Sequence, residues 1–215
     1  MPVITIRGQF GSGAPEIGKL VAAKLHLDYI DREIIAEVAH RLRRPKESIE
    51  QKEVPPSSFW AKIADVLGHS STPATGYSNV YLPVWEIPVE DSTYLVGLES
   101  VIKELAVSQS IVIQGRGSQF ILKDYPSATH ILVMAPFELR LKRIMESMKV
   151  NEEVAKKEIE RFDSSHREFA KRYFKTELEN PLHYDIVINT KNTNFEMASL
   201  IIAEAINLKI THRVN

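Results

Sequence analysis

Cysteine is absent from this chain of 215 residues, so disulfides and thiolate metal sites are excluded. Long hydrophobic runs are missing too: none approaches the ~20 apolar residues that a membrane-spanning helix needs. No basic flank leads into an apolar stretch of signal-peptide type. The expectation is a soluble, cytoplasmic protein without a membrane partner. Neither sign of charge dominates, with 27 basic against 28 acidic residues and a formal net charge of -1. Nothing global therefore favours nucleic acid as a partner, and any anion must be held by locally placed charge.

What is present has the balance of a globular protein, with 44% hydrophobic and 26% charged residues. The length suits one domain, or a core with one inserted subdomain. Apolar runs at Val3–Ile6, Ile111–Ile113, Ile131–Met134 and Ile186–Ile188 lack polar alternation, as in strands buried on both faces of a parallel sheet. Leu27–Ile30 is a weaker fifth. Helical stripes fall between them: Ile17, Leu20, Val21 and Leu25; Phe137, Leu141, Ile144, Met145 and Met148; and Met197, Leu200, Ile201, Ala205 and Leu208. The alternation predicts an α/β fold, a five-stranded parallel sheet with helices on both faces. Residues 55–93 break the rhythm with Pro55, Pro56, Pro73, Pro83, Pro88 and both tryptophans, Trp60 and Trp85. An inserted binding segment is expected there, with the tryptophans packing it.

The stretch GQFGSGAPEIG, residues 8–18, follows the first strand and opens the first helix. Glycines allow the tight, partly left-handed path that turns backbone N–H groups toward an anion, and a helix start adds its positive dipole end. Pro15 suits a first helical turn. Against the pattern Gly-x-x-x-x-Gly-Lys-Ser/Thr, Gly8 and Gly13 are in register, but Ala14 replaces the lysine and Pro15 the hydroxyl residue. Two other readings stand beside a phosphate cradle. One is a ligand-free turn. The other is a dinucleotide turn, with Asp31 placed for a ribose contact; no tyrosine is followed by lysine four positions later, as a short-chain dehydrogenase would require.

Further stretches line up in order: DYIDREII (28–35), IVIQGRGSQFILKD (111–124), HILVMAPFELRLKRI (130–144), FDSSHREFAKRYF (162–174) and YDIVINT (184–190). Together with ITIRGQFGSGAPEIG they resemble the cytidylate kinase-like family, a branch of the P-loop nucleoside monophosphate kinases. The resemblance implies one kinase-like domain. Its core would be residues 1–54 and 94–215, with a helical lid around 150–175 and an inserted monophosphate-binding segment at 55–93. It implies ATP and Mg²⁺ as cofactors and an acceptor such as CMP or dCMP. A catalytically weak or inactive nucleotide-binding module is the alternative, because the loop lysine is missing.

By the same resemblance, Gly11, Ser12, Gly13, Ala14, Pro15, Glu16 and Ile17 would hold the ATP phosphates, with Arg140 reaching toward the nucleotide. Gly115, Arg116 and Gly117 are similar to a Gly-Arg-Asp turn that contacts the monophosphate. Asp31, Arg32, Asp163 and His166 would face the acceptor nucleoside. Phosphoryl transfer needs positioning and charge neutralisation more than covalent help. Arginine is suited to that work, being permanently charged and bidentate, and Arg116, Arg143 and Arg167 are the catalytic candidates, with Arg161 and Arg172 beside them. Structural alternatives remain open. Arg140, Arg143 and Ser147 fit a solvated face of one helix. Asp163 and Arg167 fit a surface pair four residues apart. Asp31 suits an N-cap, and Glu16 a dipole contact. No metal-ligand constellation is visible among the seven histidines.

Overall fold

The computed structural model describes residues 1–31 and 92–213. Nearly all of the expected insertion, with Trp60, Trp85 and also Arg32, lies outside the described residues. Five strands form one parallel sheet: β1 (Val3–Gly8), β2 (Asp28–Ile30), β3 (Ile111–Gln114), β4 (Ala128–Met134) and β5 (Ile186–Asn189), in the order β2-β3-β1-β4-β5. The expected apolar runs are those strands. Among the described residues the helices are α1 (Ala14–Leu25), α2 (Ser92–Ser108), α3 (Ser118–Ile121), α4 (Phe137–Met148), α5 (Glu152–Phe169) and α6 (Phe195–Arg213).

Central β1 is flanked by β3, with Val3 opposite Ile111, and by β4, with Gly8 opposite Val133. Side chains alternate across a strand, so β1 serves two cores. Val3 meets Leu98, Ile102 and Leu105 of α2 on one face. Ile4 and Ile6 meet Ile17 and Val21 of α1 and Ile202 and Ile206 of α6 on the other. A third cluster joins Phe10 to Leu141 and Ile144 of α4 and to Ala155 and Ile159 of α5. Burial on both faces holds for the central strands, whereas on the edge strand β5 Val187 is 44% exposed.

The stripe expected on α6 is corrected. Met197, Leu200, Ile201 and Leu208 are about half exposed, and the core face is Ala198, Ile202 and Ile206 with buried Ser199. Apolar residues occur all round this helix, so periodicity alone picks no face. The small Ala198 and Ser199 let α6 approach α1, and Lys24 pairs with Glu196 at 2.5 Å across the two helices. None of the described helices is long and apolar enough to cross a membrane.

Candidate functional site

Open α/β sheets bind ligands beyond the carboxyl ends of their strands, and the glycine loop lies there, between β1 and α1. Gly11 and Gly13 have φ of +80° and +95°, a region that side chains other than glycine adopt only at a cost. The space is closed as well: a Cβ on Gly13 would lie 2.2 Å from the Phe195 ring, and one on Gly11 3.0 Å from Arg140 O. The first bond of α1 runs from Ile17 N–H to Gly13 O. The N–H groups of Ala14 and Glu16 thus belong to the helix start, where intrahelical acceptors are lacking. Ser12 is fully buried, and its Oγ has no hydrogen-bond partner among the described residues. These features fit a phosphate group. Ala14 is buried in the α1–sheet core, while Pro15 and Glu16 are exposed.

Helix α4 sends two arginines to the loop. Arg143 Nη1 donates to Gly11 O (3.3 Å), Ser12 O (3.2 Å) and Thr190 Oγ1 (2.9 Å), and Nη2 donates to Thr190 O. Its guanidinium lies 4.9 Å from the Phe195 ring centroid. Burial lowers its pKa from the ordinary arginine value, against the opposing field of Glu16. A cation therefore stands at the loop although position 14 carries none.

Arg140 is buried, which corrects the expectation of a solvated face for this residue. Its Nη1 meets Asp163 Oδ2 at 2.6 Å and Phe10 O at 3.2 Å. Asp163 Oδ1 accepts from Phe10 N–H at 3.1 Å. The expected surface pairing of Asp163 with Arg167 is corrected with it: Asp163 turns inward to Arg140, and exposed Arg167 reaches Ser164 Oγ at 3.4 Å. The physical reason is the third core cluster, which rotates this part of α5 toward Phe10. Phe10 stacks on Phe162, and Phe162 on His166. Asn151 caps α5 by accepting from Val154 N–H.

A second turn follows β3. Gly115, Arg116 and Gly117 have φ of +71°, +55° and +69°. Successive left-handed residues make a concave turn of N–H groups. A Cβ on Gly117 would lie 2.5 Å from the Phe174 ring. The turn borders a small cleft lined by Arg7, Arg116, Gln119, Phe120, His166 and Phe169 among others. Its outer wall includes Ala170, where α5 passes into a π-helical turn over Ala170–Phe174, a distortion often found at functional sites.

Arg7 was missed by sequence reading. Strand alternation puts it on the Val3 and Thr5 face, so it points into this cleft. Its signal was a charged residue inside an otherwise apolar strand run. The side chain is 5% exposed, with Glu179 Oε1 at 3.8 Å. Burial lowers its pKa, and Tyr184 and Glu179 act in the opposite sense. Thr190 and Phe195, which hold and cover the glycine loop, were missed as well; Phe195 has no motif to announce it. Asp31 is partly buried just beyond β2. Among the described residues no group of three or more acidic or histidine side chains could hold a metal ion.

A crystal structure of an uncharacterized protein from Eubacterium ventriosum superposes with a TM-score of 0.69 at 19% identity, covering 96% of this chain and 99% of that one. Shikimate kinase from Bacteroides thetaiotaomicron gives a TM-score of 0.49 at 10% identity, over 96% and 98% of the two chains. Shikimate kinase from Acinetobacter baumannii, in complex with shikimate, gives 0.46 at 16%, over 100% and 96%. No curated protein matches the sequence. The fold shared with the Eubacterium ventriosum protein is a five-stranded parallel sheet flanked by helices. The model of the cytidylate kinase-like family matches residues 3–192, and the chain belongs to that family.

Proposed function

We propose that the protein is an ATP-dependent nucleoside monophosphate kinase, acting on CMP or dCMP in the cytoplasm. One observation carries the reading: two anion-ready turns stand side by side at the carboxyl edge of the sheet, one after β1 and one after β3, each with an arginine at it. Two phosphates held in neighbouring turns are what transfer between nucleotides requires.

In this reading the glycine loop cradles the ATP phosphates through the helix-start N–H groups and Ser12 Oγ. Arg143 supplies the charge that Ala14 lacks. Held by three oxygens at its Nη1, it is fixed before ATP arrives, and fixed charge costs no reorganisation during reaction. Arg116 and the Gly115–Gly117 turn hold the acceptor's phosphate, with Asp31 and His166 near its nucleoside. Asp163 and Arg140 act one step back, fixing Phe10 and through it the loop. Arg167, exposed on α5, would reach the transferred group on closure of the 150–175 segment as a lid, a motion that would exclude water. Glu16 is the carboxylate that the loop itself carries toward Mg²⁺, which would supply neutralisation of the phosphate charge. Residues 55–93 would complete the acceptor side.

Thermal unfolding with a nucleotide panel tests this. A ligand at 100 times its Kd stabilises by ~2.7 kcal/mol. ATP with Mg²⁺ and CMP or dCMP should each raise the midpoint, and together raise it further. A rise with NADH alone would overturn the reading.

A further inference from the structure

Among the described residues, two buried arginines each face a carboxylate, and the two pairs differ. Arg140 closes on Asp163 at 2.6 Å. Arg7 and Glu179 stop at 3.8 Å, too far for a hydrogen bond. Both Arg7 Nη atoms and Glu179 Oε1 lack hydrogen-bond partners among the described residues, and so does Oε1 of Gln119, another residue of the cleft. A structural ion pair would be expected to close, because an unpaired buried charge is expensive. Buried polar groups left unmatched around one cleft point to a ligand group that matches them.

The rest of the cleft fits an anion. Arg116, buried to 9% exposure, lines it from β3's turn, and Gly115–Gly117 present their left-handed backbone there. Phe120 and Phe169 make apolar walls, which strengthen an electrostatic contact by excluding water. Glu179 is the opposing charge, and Tyr184 bonds to two residues of the lining, donating to Leu178 O and accepting from Gln119 Nε2.

We propose that Arg7 is an acceptor-binding residue: with Arg116 it forms a two-arginine site for the acceptor's anionic group, a phosphomonoester or a carboxylate. This rests on the kinase reading in taking that group to belong to the acceptor. It goes beyond that reading by placing a specificity-determining cation in β1, on the opposite face of the strand from the ATP-side core. Glu179 holds Arg7 in place without satisfying it, and yields the guanidinium to the incoming anion.

Arg7→Met, close in volume and uncharged, separates a binding role from a structural one. Binding of CMP, cytidine, inorganic phosphate and succinate is measured by calorimetry on the full chain, alongside thermal midpoints. The site predicts at least tenfold weaker CMP binding in Arg7→Met, an unchanged affinity for ATP, and a midpoint without ligand equal to or above wild type. Cytidine, lacking the anion, should bind both proteins alike. Glu179→Gln should bind CMP or phosphate several-fold more tightly than wild type, a result that stands even if Arg7→Met fails to fold. Arg7-dependent binding of phosphate or succinate without any nucleotide binding would keep the site and remove the nucleotide reading. Equal CMP affinity in wild type and Arg7→Met would overturn the site and leave the kinase reading standing. Absence of binding by every anion in the panel would overturn the site as well.

Discussion

Asp163 of α5 and Arg140 of α4 meet at 2.6 Å, and the same carboxylate accepts the backbone N–H of Phe10 in the glycine loop. One acidic side chain therefore ties two helices to the loop. Asp163→Ala leaves the buried guanidinium unpaired and should cost about 3–5 kcal/mol. Replacing both partners by apolar residues of similar volume, Arg140→Met with Asp163→Leu, should recover most of that cost, since the uncompensated charge is gone. Urea unfolding of Asp163→Ala, Arg140→Met and the double variant checks it. Equal losses in all three would show that the charge is not the cause.

Gly13 sits at φ +95° with the Phe195 ring where a Cβ would lie. Gly13→Ala should destabilise by about 1–3 kcal/mol through backbone strain, with the ring clash in addition. Adding Phe195→Ala should relieve the clash and leave the strain. Chemical denaturation of the single and double variants reads the two parts separately, and full recovery in the double would mean the backbone is not strained.

Arg143 bonds to Gly11 O, Ser12 O and Thr190, and Arg143→Ala should weaken ATP binding by roughly ten- to a hundredfold, the scale of a charged hydrogen bond at ~1.5–3 kcal/mol. CMP binding should hardly change. Titration calorimetry with each nucleotide decides it; equal losses would place Arg143 at neither phosphate in particular.

Ala14→Lys tests the same idea from the other side. Ala14 is packed among Ile4, Ile6 and Ile17, so a lysine there must bury its stem or push out of the core, and its ammonium would meet the charge of Arg143. Lower stability and weaker ATP binding are expected. Tighter ATP binding would mean that the loop lacks a cation after all.

His130 belongs to β4, beside Thr5 of β1, with Thr5 Oγ1 2.8 Å from its Nδ1 and its backbone N–H donated to Asp185. Burial lowers its pKa from the ordinary 6.5, with Asp185 opposing and Lys209 assisting. The unfolded chain therefore takes up a proton near pH 6.5 that the folded chain refuses. Its contribution to stability is intact above that pH and is lost as pH falls below it. His130→Gln should flatten the decline in stability between about pH 7 and 5; the other acid-sensitive groups are common to both proteins and cancel in the difference. Parallel curves would assign the decline elsewhere.

Much of the fold is legible in local patterns because buried parallel strands are short, branched and uninterrupted. Val3–Ile6, Ile111–Ile113 and Ile131–Met134 carry that signal without help from partners. The glycine loop is legible for a similar reason, since its backbone path needs Gly11 and Gly13 themselves. What failed depends on partners distant in the chain. Arg140 looks solvent-facing on α4 until Asp163 arrives from α5. The buried face of α6 depends on how closely Ala198 and Ser199 let α1 approach. Arg7 is ambiguous in a strand until Glu179 is seen to stop at 3.8 Å. The neighbours that decide these cases are 23 residues away for Arg140 and Asp163, and much farther along the chain for Arg7.

Transfer of the γ-phosphoryl group from radiolabelled ATP with Mg²⁺ to CMP, dCMP, UMP, AMP and GMP tests the central claim most directly. The account predicts a labelled nucleoside diphosphate, formed fastest from CMP or dCMP and strongly reduced by Arg116→Ala or Arg143→Ala. No labelled diphosphate from any acceptor, with ATP and a monophosphate both bound at saturation, would contradict it.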